Sequence, residues 1–162
     1  MSGSKMFAMA RCFKDSICYE YENVKVTTYL NGSGLKDIKV ITADKHIHYI
    51  KNDGITYFYG IVDNKIVIDC GTSNIRDFSI YDLKDMSLIF TSSYKNNINA
   101  DRKDIFFIYP IGPKDKYKLP ECLQKEEWEK LGGSAGYVIN RAFNLTTRKL
   151  TDVGSVKCEY FE

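Results

Sequence analysis

The stretch Ile55–Asp82, ITYFYGIVDNKIVIDCGTSNIRDFSIYD, decides the fold. Ile55 to Val62 is rich in β-branched and aromatic residues, which suit a pleated, half-buried surface. Asp63-Asn64 then supplies a two-residue turn, because both residue types tolerate positive φ. Lys65 to Asp69 returns through Ile66-Val67-Ile68. Both strands carry apolar residues on each face, which predicts a place in the middle of a sheet for the pair. Gly71 to Asn74 reads as a loop, and Asp77 to Asp82 with Ser87 to Tyr94 as a second hairpin. Four strands in so short a span, joined by tight turns, describe a meander or one propeller-like blade. No second copy recurs at a fixed spacing, so a multi-bladed propeller is not expected.

On the N-terminal side the pattern continues. Val24, Val26, Thr28 and Leu30 alternate with Lys25, Thr27 and Tyr29, the period of a strand with one dry face. Asn31-Gly32-Ser33-Gly34 is a turn cluster, Asp37 to Thr42 and His46 to Ile50 are further strands, and Lys51 to Gly54 is another turn. On the C-terminal side Lys95 to Lys103 is polar and reads as a loop. Ile105 to Tyr109 is a strand stopped by Pro110, and Ile111 to Pro120 is an extended connector. Glu121 to Leu131 reads as a helix: Leu123, Trp128 and Leu131 share one arc, Glu121 opens it, Lys130 closes it and Gly132 stops it. Tyr137 to Phe143 and Ser155 to Phe161 complete the set as strands. The expected fold is mainly β, an antiparallel meander, sandwich or compact propeller-like sheet, with one short helix in the C-terminal part.

The chain has 162 residues, enough for one domain with its own core. The expectation is a single β-rich domain over 11–162. Residues 1–10 are set aside: Met1-Ser2-Gly3-Ser4 looks like an appended leader, and Phe7-Ala8-Met9-Ala10 has the small-x-small ending of a signal-peptide remnant. Twelve Tyr and nine Phe bring aromatics to 14%, which favours sheet and suits binding surfaces. The 23 basic and 21 acidic residues are interspersed and leave a net charge of +2, without the basic stripe a nucleic-acid binder needs. No apolar run has the length of a membrane span.

Candidate chemistry is thin. Gly132-Gly133-Ser134-Ala135-Gly136 spells a G-x-S-x-G pattern, yet it follows a helix and precedes a strand, the reverse of a nucleophile elbow, and both histidines lie upstream. A helix cap and a flexible link is the expected reading. His46 and His48 share a strand face, but a zinc site needs further ligands beyond the nearby Asp44 and Asp53, so no metal, cofactor or catalytic residue is expected. Asn31-Gly32-Ser33 and Asn144-Leu145-Thr146 have the form of glycosylation sequons. The five cysteines, Cys12, Cys18, Cys70, Cys122 and Cys158, lack metal-ligand spacing. They are either five reduced residues or one or two disulfides with an odd thiol, for which Cys12–Cys18 and Cys122–Cys158 are the candidates.

Two stretches carry a resemblance: Tyr59-Gly60-Ile61 through Asp69-Cys70-Gly71-Thr72-Ser73 with Arg76 and Ile80-Tyr81-Asp82-Leu83, and Pro120-Glu121-Cys122, Trp128, Gly132, Leu145 and Cys158. Together they resemble small exported bacterial proteins of unassigned function. The resemblance implies a β fold, export and a Cys122–Cys158 disulfide. It implies no activity.

These observations lead to the expectation of a non-enzymatic, periplasmic or secreted protein of inhibitor or immunity type. Such a protein blocks a toxin or cell-wall hydrolase by inserting a loop, here Gly71, Thr72, Ser73 and Asn74 with Arg76. The alternatives are an interaction module of an envelope assembly and an enzyme built on His46, His48 and a carboxylate.

Overall fold

A computed structural model describes the backbone of residues 6–13, 16–30, 36–51 and 55–162, and side chains from residue 16 onward within those ranges. Twelve strands and one helix follow one another: β1 (Met6–Phe13), β2 (Ser16–Tyr21), β3 (Val24–Leu30), β4 (Lys36–Thr42), β5 (Ile47–Ile50), β6 (Thr56–Val62), β7 (Lys65–Cys70), β8 (Ile75–Asp82), β9 (Leu88–Asp101), β10 (Asp104–Pro110), α1 (Lys125–Lys130), β11 (Ser134–Asn144) and β12 (Leu150–Phe161). They form two antiparallel sheets, ordered β1-β2-β3-β4-β5 and β12-β11-β10-β9-β8-β7-β6. Within each sheet sequential strands are neighbours, and the fold is mainly β, as expected from the sequence. By compactness the chain divides into 1–72 with 77–92, unit 1, and 73–76 with 93–162, unit 2.

Unit 1 is a two-layer packing of aliphatic faces. Val24 and Val26 of β3, Ile38 and Val40 of β4 and Ile50 of β5 meet Ile61 of β6 and Ile66 and Ile68 of β7, with Leu83 closing the cluster. Phe58 packs beside it, with Tyr19 at 4.6 Å and Tyr21 at 6.2 Å between ring centroids. The second face of β7 is equally dry: Val67 and its cross-strand partner Ile80, with Phe78, are fully buried. Asp63 and Asn64 both have positive φ, as the tight turn from β6 to β7 requires.

One expectation here needs correction. Only β7 is interior; β6 ends the order of its sheet. Its pairing shifts between Phe58 and Gly60, and Tyr59 at that bulge is exposed. Bulges of this kind are a common way of blunting a sheet edge. The aromatics of β6 therefore serve an edge strand, where ring area substitutes for a second layer of aliphatics.

Unit 2 differs from the sequence reading at several places, of which three shape the fold most. Lys95 to Lys103 is no loop: β9 runs on to Asp101 and turns through Arg102-Lys103 into β10. Its register jumps near Asn96, which has positive φ, so Tyr94 and Lys95 are consecutive and both buried. Second, the helix starts at Lys125 rather than Glu121 and buries none of its residues, Leu123 and Leu131 lying exposed on either side. Third, β12 begins five residues before the expected Ser155. The unit's core comes instead from Tyr94, Ile98, Ile105, Phe107, Val138, Ile139, Phe143 and Leu145.

The backbone of Met6–Phe13 pairs with β2. Residues 1–5 of the expected leader lie outside the described residues, as do the Asn31–Gly34 turn and all but the first residue of the Lys51–Gly54 turn. Among the described residues no helix is long and apolar enough to cross a membrane.

Candidate functional site

The expected contact loop leaves β7 at Gly71, whose positive φ suits glycine and whose N–H donates to the Ile55 carbonyl at 2.9 Å. Thr72 and Ser73 are exposed, and the Ser73 hydroxyl donates to the Ile75 carbonyl. The Asn74 carbonyl accepts from the Asn96 N–H at 2.8 Å. Arg76 donates to the Asn96 carbonyl at 2.9 Å and lies over the Tyr94 ring at 5.2 Å. Much of the polar capacity of this segment is thus used in holding its own backbone and β9.

The histidines behave as surface groups. His46 precedes β5 and pairs with Asp44 at 2.7 Å, while its ring stands edge-on to His48 at 6.5 Å. The Thr42 hydroxyl, with help from His46, holds the Asp44 carboxyl below its ordinary pKa. Among the described residues no group of three His, Cys, Asp or Glu side chains converges as a metal site needs; Asp53 lies outside them.

Cys122 and Cys158 form a disulfide with Cα atoms 5.5 Å apart, closing 36 residues of chain. Cys18 is disulfide-bonded and accepts a hydrogen bond from Thr27 at 3.4 Å. The Cys12 side chain lies outside the described residues. Cys70 is the odd thiol, half-buried against the unit 1 cluster.

The glycine-rich stretch has a structural purpose. Gly132 has positive φ and donates to Glu129, while Gly133 donates to Trp128, the paired bonds of a Schellman stop. Gly133 and Gly136 are far from a flexible link. A Cβ at Gly133 would collide with the Tyr160 ring, and one at Gly136 with the Phe161 ring. Only glycine leaves room for these two rings of β12 at such close approach. Asn144 is likewise structural: its side-chain oxygen accepts from the N–H groups of Thr146 and Thr147, and its amide donates to Asp104.

Around α1 the structure gathers residues that the sequence does not announce. Lys95 is almost fully buried, donates to Glu159 and to the Tyr160 carbonyl at 2.7 Å each, and sits 4.5 Å from the Phe161 ring centre. Trp128, the sole tryptophan, meets Tyr160 edge-on at 6.2 Å. Lys95, Trp128, Glu159 and Tyr160, with Asn74, Asn96 and Cys158, border a shallow cleft of about 570 Å³. Glu159 lies 64 residues from Lys95, so the pairing of β9 through β12 across the sheet brings the two together.

Farther along unit 2, Arg141 ties the connector down. It donates to Asp152 at 3.0 Å and to Tyr117 at 2.6 Å, and stacks on Tyr109 at 3.6 Å. Burial opposes its charge, but the bonds to Tyr117 and Asp152 more than offset this, and its pKa lies above the ordinary value. Asp115 accepts from Tyr109 and from the Gly112 N–H, holding the bend after Pro110.

Between the connector and the end of α1 the chain then exposes large apolar side chains: Leu119 at 48%, Leu123 at 85% and Leu131 at 71%. Their segment is held by the backbone hydrogen bonds of α1 and its flanks, by Cys122–Cys158 and by the Schellman stop.

Comparison with known protein families, curated proteins and solved structures finds no match to this chain.

Proposed function

We propose that the protein is a non-enzymatic, exported protein-binding domain of inhibitor or immunity type, and that the 119–131 segment is its principal contact surface. The observation that carries this reading is the exposure of Leu123 and Leu131 on a segment held in place by a disulfide. Burying each such side chain in a complex is worth roughly 1.5–3 kcal/mol. A covalently fastened segment also loses less entropy on binding than a loose one. The disulfide fits an oxidising compartment, the periplasm or the cell exterior. The Gly71–Arg76 loop is a secondary contact, offering Thr72 and the exposed Ile75 rather than the polar groups of Ser73 and Asn74.

The test is affinity capture of exported toxins and cell-wall hydrolases on three immobilised proteins: wild type, Leu123→Glu/Leu131→Glu and Ser73→Ala/Asn74→Ala. A captured enzyme should lose activity when bound, should be retained by the loop variant, and should be lost from the leucine variant. Retention by the leucine variant would overturn the surface assignment. Binding without loss of the enzyme's activity would favour the second reading, an interaction module of an envelope assembly.

A further inference from the structure

On unit 2, one face of the sheet is neither core nor part of the α1 surface. A shallow cleft of about 470 Å³ crosses it, lined by Asn97, Asn99, Phe106, Ile108, Asn140 and Val153 among others. The register explains why these residues meet. Phe106 of β10 stands opposite Asn99 of β9, while Ile108 stands opposite Asn140 of β11, which in turn faces Val153 of β12. Phe106 and Ile108 share a face because side chains alternate, so the two rows lie roughly 7 Å apart along the strands. Phe106 is 39% and Val153 is 42% exposed. Its cross-strand neighbour on β11, Ala142, is small and leaves the ring's flank open.

We propose that this face binds a neutral, hydroxyl-rich oligosaccharide chain. The chemistry of the lining selects that class. β10 lies inside the sheet with both neighbours paired, so its backbone has no edge to offer an added peptide strand. Recognition must come from side chains alone. Three amides supply it, each combining an acceptor oxygen with two N–H donors, the complement of a sugar hydroxyl. No hydrogen bond joins the amides of Asn97, Asn99 or Asn140 to other described residues, so their capacity faces the cleft. Phe106, Ile108 and Val153 provide the apolar floor on which the C–H face of a pyranose ring stacks. Around the cleft Arg141 is the sole ionisable side chain among the described residues, and its guanidinium is committed to Asp152 and Tyr117. An anionic polymer therefore finds no cationic stripe here.

The experiment is titration of isotope-labelled protein with neutral hexasaccharides of β-1,4-linked N-acetylglucosamine, β-1,4-linked glucose and α-1,4-linked glucose, with a sulfated glycan as the charged control. At least one neutral chain should bind with a Kd of about 10–1000 µM, shifting the side-chain amide signals of Asn99 and Asn140 and the backbone signals of β10. Phe106→Ala and Asn140→Ala should each weaken binding about tenfold, worth roughly 1.4 kcal/mol, with unchanged far-ultraviolet dichroism. The Leu123→Glu/Leu131→Glu variant should bind the sugar as wild type does, which separates this site from the protein-binding surface. Binding of the sulfated glycan alone, shifts confined elsewhere, variants that bind normally, or no binding of any neutral chain would each overturn the proposal.

Discussion

Unit 1 and unit 2 are built from the same antiparallel strands and each contains a disulfide-bonded cysteine, yet their apolar cores differ in size and in the polar ties around them. Unit 1 is an aliphatic sandwich in which Val26, Ile38, Val40, Ile66 and Ile68 are all fully buried. In unit 2 a smaller apolar core is supplemented by a disulfide, a buried Lys95–Glu159 pair, the Arg141–Asp152–Tyr117 network and two glycines roofed by aromatic rings. The contrast teaches how far polar and covalent ties can stand in for a larger apolar core. Burial of apolar area dominates the first unit, although Ile17, Leu30, Ile47, Tyr49, Tyr59 and Leu88 stay exposed on it. Directional ties supplement the core of the second, and Leu119, Leu123 and Leu131 stand exposed on the segment that Cys122–Cys158 fastens.

Substitutions should expose this difference, beginning where the effect is largest. Ile68→Ala removes a fully buried side chain from a well-packed cluster and should destabilise by roughly 4 kcal/mol, read from the urea midpoint at constant slope. Replacing both Cys122 and Cys158 by Ser should cost roughly 3 kcal/mol, mostly through the freed unfolded chain. Lys95→Met strands Glu159 beside apolar rings and should cost about 2 kcal/mol, less than for a fully buried partner because Glu159 keeps some access to water. Adding Glu159→Met to it should recover most of that loss, and a double-mutant cycle measures how much. Leu123→Glu should change stability by less than about 0.5 kcal/mol, because the side chain packs on nothing it would lose. A large cost for Leu123→Glu, or a small one for Ile68→Ala, would break the comparison.

The same division governs what the sequence reveals. The β3 alternation and the Asp63-Asn64 turn are legible because period-two burial and positive φ are local properties, each carried by adjacent residues. β6 misleads for a reason that is equally physical: an edge strand rich in Tyr and Phe has the composition of a buried one. In unit 2 the register shift near Asn96 breaks the alternation just where β9 continues, so a polar run reads as a loop. The Leu123, Trp128 and Leu131 arc has helical spacing, but spacing cannot tell a face turned to a core from one turned outward. The resemblance-based expectation of a Cys122–Cys158 disulfide matches the structure. Lys95 with Glu159, and the amide face around Phe106, are products of strand register across distant segments, which no local pattern encodes.

We infer that α1 and its exposed leucines owe their order to the crosslink rather than to burial. A six-residue helix with no buried side chain is too short to persist unaided. Trp128, the sole tryptophan and a neighbour of Tyr160, reports on it directly. The decisive measurement is its fluorescence emission in wild type and in the Cys122→Ser/Cys158→Ser variant, at a temperature where both keep the same far-ultraviolet strand signal. The account predicts a red-shifted emission in the variant, as Trp128 leaves Tyr160 for water while the sheets stay folded. An emission maximum identical in both proteins would show that packing alone holds α1, and would contradict it.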